Sequence, residues 1–196
     1  IRGLDVVLKE SERLHHLVEE LLDFSRMRSE RLSLDMAEFR LNTILSEAAE
    51  MYRELAKKQN VELVYIPFAE DVFCFGDANR IKQVFINVID NALKYNQSGG
   101  QILIEQHCED GCIQISISDT GVGIAAQDLD RVKEKFYKAN KQVRGSGIGL
   151  AVADEIIKQH NGLLLIDSTE GIGTTVTIVL PILEETEETQ GETNEL

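Results

Sequence analysis

No stretch of this 196-residue chain is long and apolar enough to cross a bilayer, and its first residues lack a secretory signal pattern. The expectation is a cytoplasmic domain. Cysteine is scarce: Cys74, Cys108 and Cys112 are odd in number and lack metal-ligating spacing, so they read as free thiols in a reducing compartment. Positive charge is scarce as well. Lys and Arg total 20 against 34 Asp and Glu, a formal net charge of -14 that argues against nucleic acid as a partner. What remains has room for one α/β core and a helical arm.

The informative residues fall in three short segments. The first is Asn87-Val-Ile-Asp-Asn91, on a helix that Asp77 is placed to cap. Ile81, Val84, Phe85, Val88, Ala92 and Tyr95 recur at helical spacing, with Ile86 and Leu93 on the flank. Arg80, Gln83, Asn87, Asn91 and Lys94 make a narrow polar stripe, spaced by three and four residues. A solvated face is the ordinary explanation of such a stripe. Two mid-helix asparagines, poor helix formers, argue for something more. Their carbonyl oxygens suit a hard cation such as Mg²⁺ when phosphates supply the charge, and Lys94 could meet those phosphates.

The second segment, Asp119-Thr-Gly-Val-Gly-Ile124, follows the alternating strand Cys112-Ile-Gln-Ile-Ser-Ile-Ser118. A carboxylate at that strand's end can accept from an exocyclic amine such as that of adenine. Gly121 and Gly123 permit a sharp turn and close approach to a ligand. Gly121 to Ala126 also fits a Gly-x-Gly-x-x-Ala dinucleotide pattern. That reading fails, because about twenty residues on, where an acidic strand end is required, Phe136 to Arg144 is basic and not strand-like.

The third segment, Gly145-Ser-Gly-Ile-Gly-Leu150, opens a helix running to about His160, where backbone amides can hold phosphate oxygens. No Gly-Lys-Ser/Thr follows at P-loop spacing. Ahead of it lie Arg131, Lys133, Lys135, Lys138, Lys141 and Arg144, a basic cluster in an acidic chain that suits a mobile loop beside phosphates.

Together these segments resemble the catalytic ATP-binding domain of sensor histidine kinases, in the superfamily shared with gyrase and heat-shock chaperone ATPases. Asn87 to Tyr95 resembles that family's asparagine box, Asp119 to Ile124 its first glycine box, Phe136-Tyr-Lys138 its phenylalanine box, and Gly145 to Leu150 its second glycine box. His160 to Leu165, Ser168 to Thr174 and Leu180-Pro181 resemble the closing hairpin. One departure is Lys133, where the family usually has an aromatic.

The resemblance implies an α/β fold of Bergerat type: a two-layer sandwich, its mixed sheet covered on one face by helices, preceded by a long helical arm. It implies ATP and Mg²⁺ as ligands. Asn91 and Asn87 would hold the metal, Lys94 and Lys138 would contact phosphate, and Tyr95 would pack on the nucleotide. Asp119 would accept from the adenine amine, with Gly121, Gly123 and Ile124 shaping the pocket. Gly145, Gly147 and Gly149 would form the triphosphate cover, with Leu150 among the nucleotide-binding residues. Hydrolysing relatives typically carry Glu where Asn87 stands, as a base for water. Asparagine cannot serve so, which favours transfer to a histidine. A non-catalytic nucleotide-binding or dimerisation module and a serine-directed kinase of anti-sigma type are the alternatives.

Residues 1–29 carry a heptad seam at Leu4, Val7, Ser11, Leu14, Val18 and Leu21, too apolar to stand without partner helices. Glu12 to Arg26 resembles the second helix of the family's dimerisation and phosphotransfer hairpin. The resemblance implies a homodimer through this arm, a response-regulator receiver domain as partner, and an anchor in the intact protein, since full-length members are often membrane receptors. The phosphoacceptor histidine is expected to lie outside this chain. His16 is followed by Leu17, and Glu20 stands where the acceptor motif has Thr or Asn, so His15 and His16 read as bundle-helix residues. His107 and His160 read as structural.

Residues 30–37 read as a linker, 38–183 as the catalytic domain and 184–196 as a disordered acidic tail. Within the domain, strands are expected near 38–41, 61–66, 72–75, 101–107, 112–118, 163–167 and 174–180. A helix after the first strand should bury Ile44, Ala48, Met51 and Leu55.

Overall fold

The computed structural model describes residues 34–134, 136–138 and 146–183. The arm at 1–29 and the acidic tail at 184–196 therefore lie outside the described residues.

Among the described residues, seven strands and four helices follow one another. They are β1 (Ala37–Arg40), α1 (Leu41–Lys58), β2 (Glu62–Ile66), β3 (Phe73–Gly76), α2 (Ala78–Lys94), β4 (Gln101–Glu109), β5 (Cys112–Asp119), α3 (Ala126–Leu129), α4 (Gly149–Gln159), β6 (Leu163–Thr169) and β7 (Gly173–Pro181). The main sheet has the order β2-β4-β5-β7-β6, parallel only between β2 and β4. β1 and β3 pair antiparallel as a separate ribbon, a division the strand patterns do not announce.

Alternation decides which face of the sheet is covered. Along β5, Ile113, Ile115 and Ile117 are buried, opposite Leu180, Ile178 and Val176 of β7, whereas Gln114, Ser116 and Ser118 point the other way. α1, α2 and α4 pack over the isoleucine face and share one core with it. Asp119 continues the isoleucine row by two residues, so the pleat that buries Ile117 also aims this carboxylate at the helical layer.

α2 buries Ile81, Val84, Phe85, Val88, Ile89, Ala92 and Leu93, as its spacing predicts, and ends with Tyr95 as C-cap rather than as a helical residue. In α1 the expected face is partly wrong. Ile44 and Ala48 are buried, but Met51 is 61% and Leu55 43% exposed. The buried row runs instead through Leu41, Leu45, Ala48, Ala49 and Ala56. Alanines let α1 lie close on its neighbours, so the helix turns them inward and the bulkier Met51 and Leu55 outward.

At one end of this layer Asp77 joins three parts of the chain. Its Oδ1 accepts from the amides of Asn79 and Arg80, both at 3.1 Å, which caps α2. Its Oδ2 accepts from the amide of Asp35, at the entrance to the domain, at 3.1 Å. Its own N–H donates to His160 Nε2 at 2.9 Å, and His160 Nδ1 lies 2.7 Å from the Ile156 carbonyl at the end of α4. The first bond makes Nε2 the acceptor, so the ring proton sits on Nδ1. His160 is thus structural, as expected.

Candidate nucleotide site

The three segments meet. A cavity of about 560 Å³ opens between α2, the turn after β5 and the start of α4. Asn87, Asn91, Lys94 and Tyr95 line it from α2 and its C-cap; Asp119, Gly123 and Ile124 from the turn; Lys138, Gly147, Gly149 and Leu150 from the far side. Gly145 lies outside the described residues, as do Lys135, Lys141 and Arg144 of the basic cluster.

Gly121 does not line the cavity. Its N–H donates to Asp119 Oδ1 at 2.8 Å, and a Cβ there would stand 2.3 Å from the Tyr95 carbonyl oxygen. Val122 N donates to that same oxygen at 3.0 Å. This glycine therefore lets the turn pack against the end of α2, rather than letting backbone approach a ligand. Gly123 has φ +65°, and a Cβ would meet the Thr169 carbonyl at 2.1 Å, so both conformation and space exclude a side chain. Ile124 N is fastened to Ser168 Oγ at 2.8 Å. This wall of the cavity is thus built on the ends of β5, β6 and α2.

Asp119 sits in this wall, about half-buried. Burial pushes its carboxyl above the ordinary value, and hydrogen bonds from the Gly121 and Thr174 amides pull it partly back. Its partners here are backbone amides, and it remains an acceptor suited to a neutral donor.

On α2, Asn87 Nδ2 donates to the carbonyl of Gly149, the first residue of α4, at 3.2 Å. The amide's hydrogen is spent on the helix opposite, and its oxygen is what it can offer a cation. No group of three or more His, Cys, Asp or Glu suited to a metal occurs among the described residues. The neutral amide oxygens of Asn87 and Asn91 fit a cation that arrives with phosphate charge. The Lys94 ammonium pairs with Asp90, one turn back on the same helix. Asp90 also faces the cavity, and sequence reasoning gave it no part; its place between the asparagines was the available signal.

On the far side, described residues flanking 139–145 are clasped. Phe136 N donates to Gly147 O at 2.9 Å, and a Cβ on Gly147, at φ +74°, would stand 2.7 Å from the Tyr137 carbonyl oxygen. Tyr137 lines the cavity, hydrogen-bonds Asp128 and carries the Arg131 guanidinium 4.1 Å over its ring. Asp128 lines the cavity too, from the short α3 that no periodicity predicts.

The family model described as "Histidine kinase-, DNA gyrase B-, and HSP90-like ATPase" matches residues 76–184. The chain is 35% identical to the sensor histidine kinase WalK of Bacillus subtilis (strain 168), over 95% of this chain and 31% of that protein. It is 32% identical to the histidine protein kinase DivJ of Caulobacter vibrioides, over 85% of this chain and 28% of that protein. It thus spans about a third of the length of these relatives. Among solved structures it is similar to the catalytic domain of histidine kinase ThkA, with TM-score 0.68 and 26% identity over 75% of this chain and 95% of that one. It is also similar to full-length ShkA in complex with AMPPNP, with TM-score 0.79 and 25% identity over 92% of this chain and 38% of that one. Five mixed strands under three helices, the asparagine helix and the two glycine turns around one cavity agree with these matches, and the chain belongs to the family of histidine kinase-, DNA gyrase B- and HSP90-like ATPases, within which it carries the ATP-binding domain of a sensor histidine kinase.

Proposed function

We propose that the chain binds Mg-ATP in this cavity and donates the γ-phosphate to a histidine on a helix outside it, as the kinase part of a two-component signalling protein. The observation that carries the reading is Asn87, an amide tied to the start of α4 where a hydrolase needs a base. With no carboxylate to activate water at that position, a nucleophile that needs no such help is favoured, and neutral imidazole is one.

In this reading Asp119 accepts from the exocyclic amine of adenine, while Gly121, Gly123 and Ile124 shape its pocket. Tyr95 and Leu150 pack on the nucleotide. Lys94 and Lys138 meet phosphate oxygens, and Gly145, Gly147 and Gly149 cover the triphosphate. Asn91 and Asn87 would hold Mg²⁺, which when bound neutralises phosphate charge. The acceptor ring nitrogen forms its bond to the γ-phosphorus as the bond from that phosphorus to the bridging oxygen breaks, leaving ADP. The chain's own work is positioning and charge stabilisation. A homodimer through residues 1–29, a receiver domain that takes the phosphate onward, and a cytoplasmic setting complete the proposal. Among the described residues no helix is long and apolar enough to cross a membrane.

The test is incubation with γ-labelled ATP and a separate fragment carrying a phosphoacceptor helix. Acid-labile, alkali-stable label on that fragment is expected. Acid-stable label would indicate a serine-directed kinase. Nucleotide binding with no label on any acceptor would indicate a non-catalytic module.

A further inference from the structure

Lys133 follows the short α3, and the structure gives the lysine a definite destination. Its ammonium reaches across to the body of the domain, donating to the Leu164 carbonyl on β6 and pairing with Asp154 Oδ1 on α4 at 2.9 Å. The other Asp154 oxygen pairs with Lys158 at 2.6 Å.

Asp154 is an odd residue for its place. It lies in α4 among buried Val152, Ala153, Ile156 and Ile157, and its side chain is only 12% exposed. Burial pushes its carboxyl up, but the hydrogen bonds from Lys158 and Lys133 outweigh burial and hold it below the ordinary value. An i,i+4 lysine alone would be a local helix pair. Lys133 makes the carboxylate an anchor for another part of the chain.

That part is one wall of the cavity. Val132, Tyr137 and Lys138 line the cavity on either side of Lys133 along the chain. Within this segment Val132 N donates to Asp128 O at 3.1 Å, Tyr137 N to Glu134 O at 3.2 Å, and Phe136 N to Gly147 O at 2.9 Å. These bonds shape the segment. The Lys133 contacts tie it to α4 and β6.

We propose that Lys133 is a positioning residue for this wall of the nucleotide site: through Asp154 and the Leu164 carbonyl it sets Tyr137 and Lys138 against the triphosphate. The inference rests on the nucleotide reading above. Removing Lys133 leaves Asp154 paired with Lys158, so the fold should survive the substitution.

The experiment compares the full 196-residue chain with Lys133→Met, Lys133→Arg, Asp154→Asn and the Lys133→Met/Asp154→Asn double variant, by calorimetric titration with Mg-ATP and with adenosine. Lys133→Met should weaken Mg-ATP roughly three- to tenfold, as loss of a charged hydrogen bond does, and leave adenosine unchanged. Lys133→Arg should restore most of the loss, and the double variant should lose less than the two single losses combined. Hydrogen exchange without nucleotide should quicken in 130–138 on Lys133→Met and stay constant in β4 and β5. Unchanged Mg-ATP affinity and unchanged exchange would overturn the proposal, as would equal losses for ATP and adenosine with a lowered melting temperature, the mark of a merely structural lysine. If the unmodified chain fails to bind Mg-ATP, the nucleotide reading itself falls, and this proposal with it.

Discussion

Burial raises the Asp119 carboxyl above its ordinary value, and that has a direction in pH. Its pKa in the fold is raised, so its contribution to folding is fullest at low pH and is lost as pH rises through the raised value. Binding runs the other way, because the ionised form is the better acceptor for an amine. Adenosine affinity should therefore fall on acidification, beginning above the ordinary aspartate value of 3.8. Asp119→Asn should abolish that dependence and weaken ADP by about 1.5–3 kcal/mol; calorimetry showing unchanged ADP affinity would remove the adenine assignment. Asn91→Ala should damage phosphoryl transfer more than ADP binding, since a metal ligand is lost while the adenine wall stands. Equal loss in a labelled-ATP assay and in calorimetry would make Asn91 structural. Residues whose chemistry is visible in their type, such as Asp119 and the asparagines, were legible in sequence. Gly121 was not: its reason is the Tyr95 carbonyl, a neighbour brought by folding. Nor was the Asp90 partner of Lys94 given weight, though both share one helix face.

Among the elements, α2 and α4 are joined at the end away from the cavity by Asp77, Gly76 and His160. A Cβ on Gly76 would stand 2.4 Å from His160 Cδ2, and that ring is buried. Gly76→Ala should cost about 1–3 kcal/mol in urea unfolding, as overpacking does. The cost should shrink sharply in a His160→Ala background, where the ring is gone. Asp77→Ala should cost about 1–2 kcal/mol through the lost cap, read by the same method. Element types were legible because period 2 and period 3.6 write themselves into β5 and α2. The separate β1–β3 ribbon was not, since pairing partners are not encoded in alternation. The face of α1 was misjudged because weighing large side chains over alanines favoured Met51 and Leu55, while packing favoured the residues that allow close approach.

For the molecule as a whole, the family and fold were legible because several motifs had to occur in order, each on the element it requires. The heptad seam of residues 1–29 lies outside the described residues. Its histidines lack an acceptor's neighbours, so the isolated chain should take up no stable acid-labile label from γ-labelled ATP. Acid-labile label that disappears in His15→Ala or His16→Ala would overturn the reading of this helix as acceptor-free.

The clasp of Phe136 on Gly147 also bears on how freely the chain length there can vary. Its two ends are held together whatever lies between them, so added residues enlarge a ring that is already closed. Each doubling of such a ring costs only about 0.6 kcal/mol. A short Gly-Ser insertion between Asn140 and Lys141 should therefore leave the melting temperature nearly where it was while changing how well the triphosphate is covered. At this one place, thermal robustness and nucleotide grip can be altered separately.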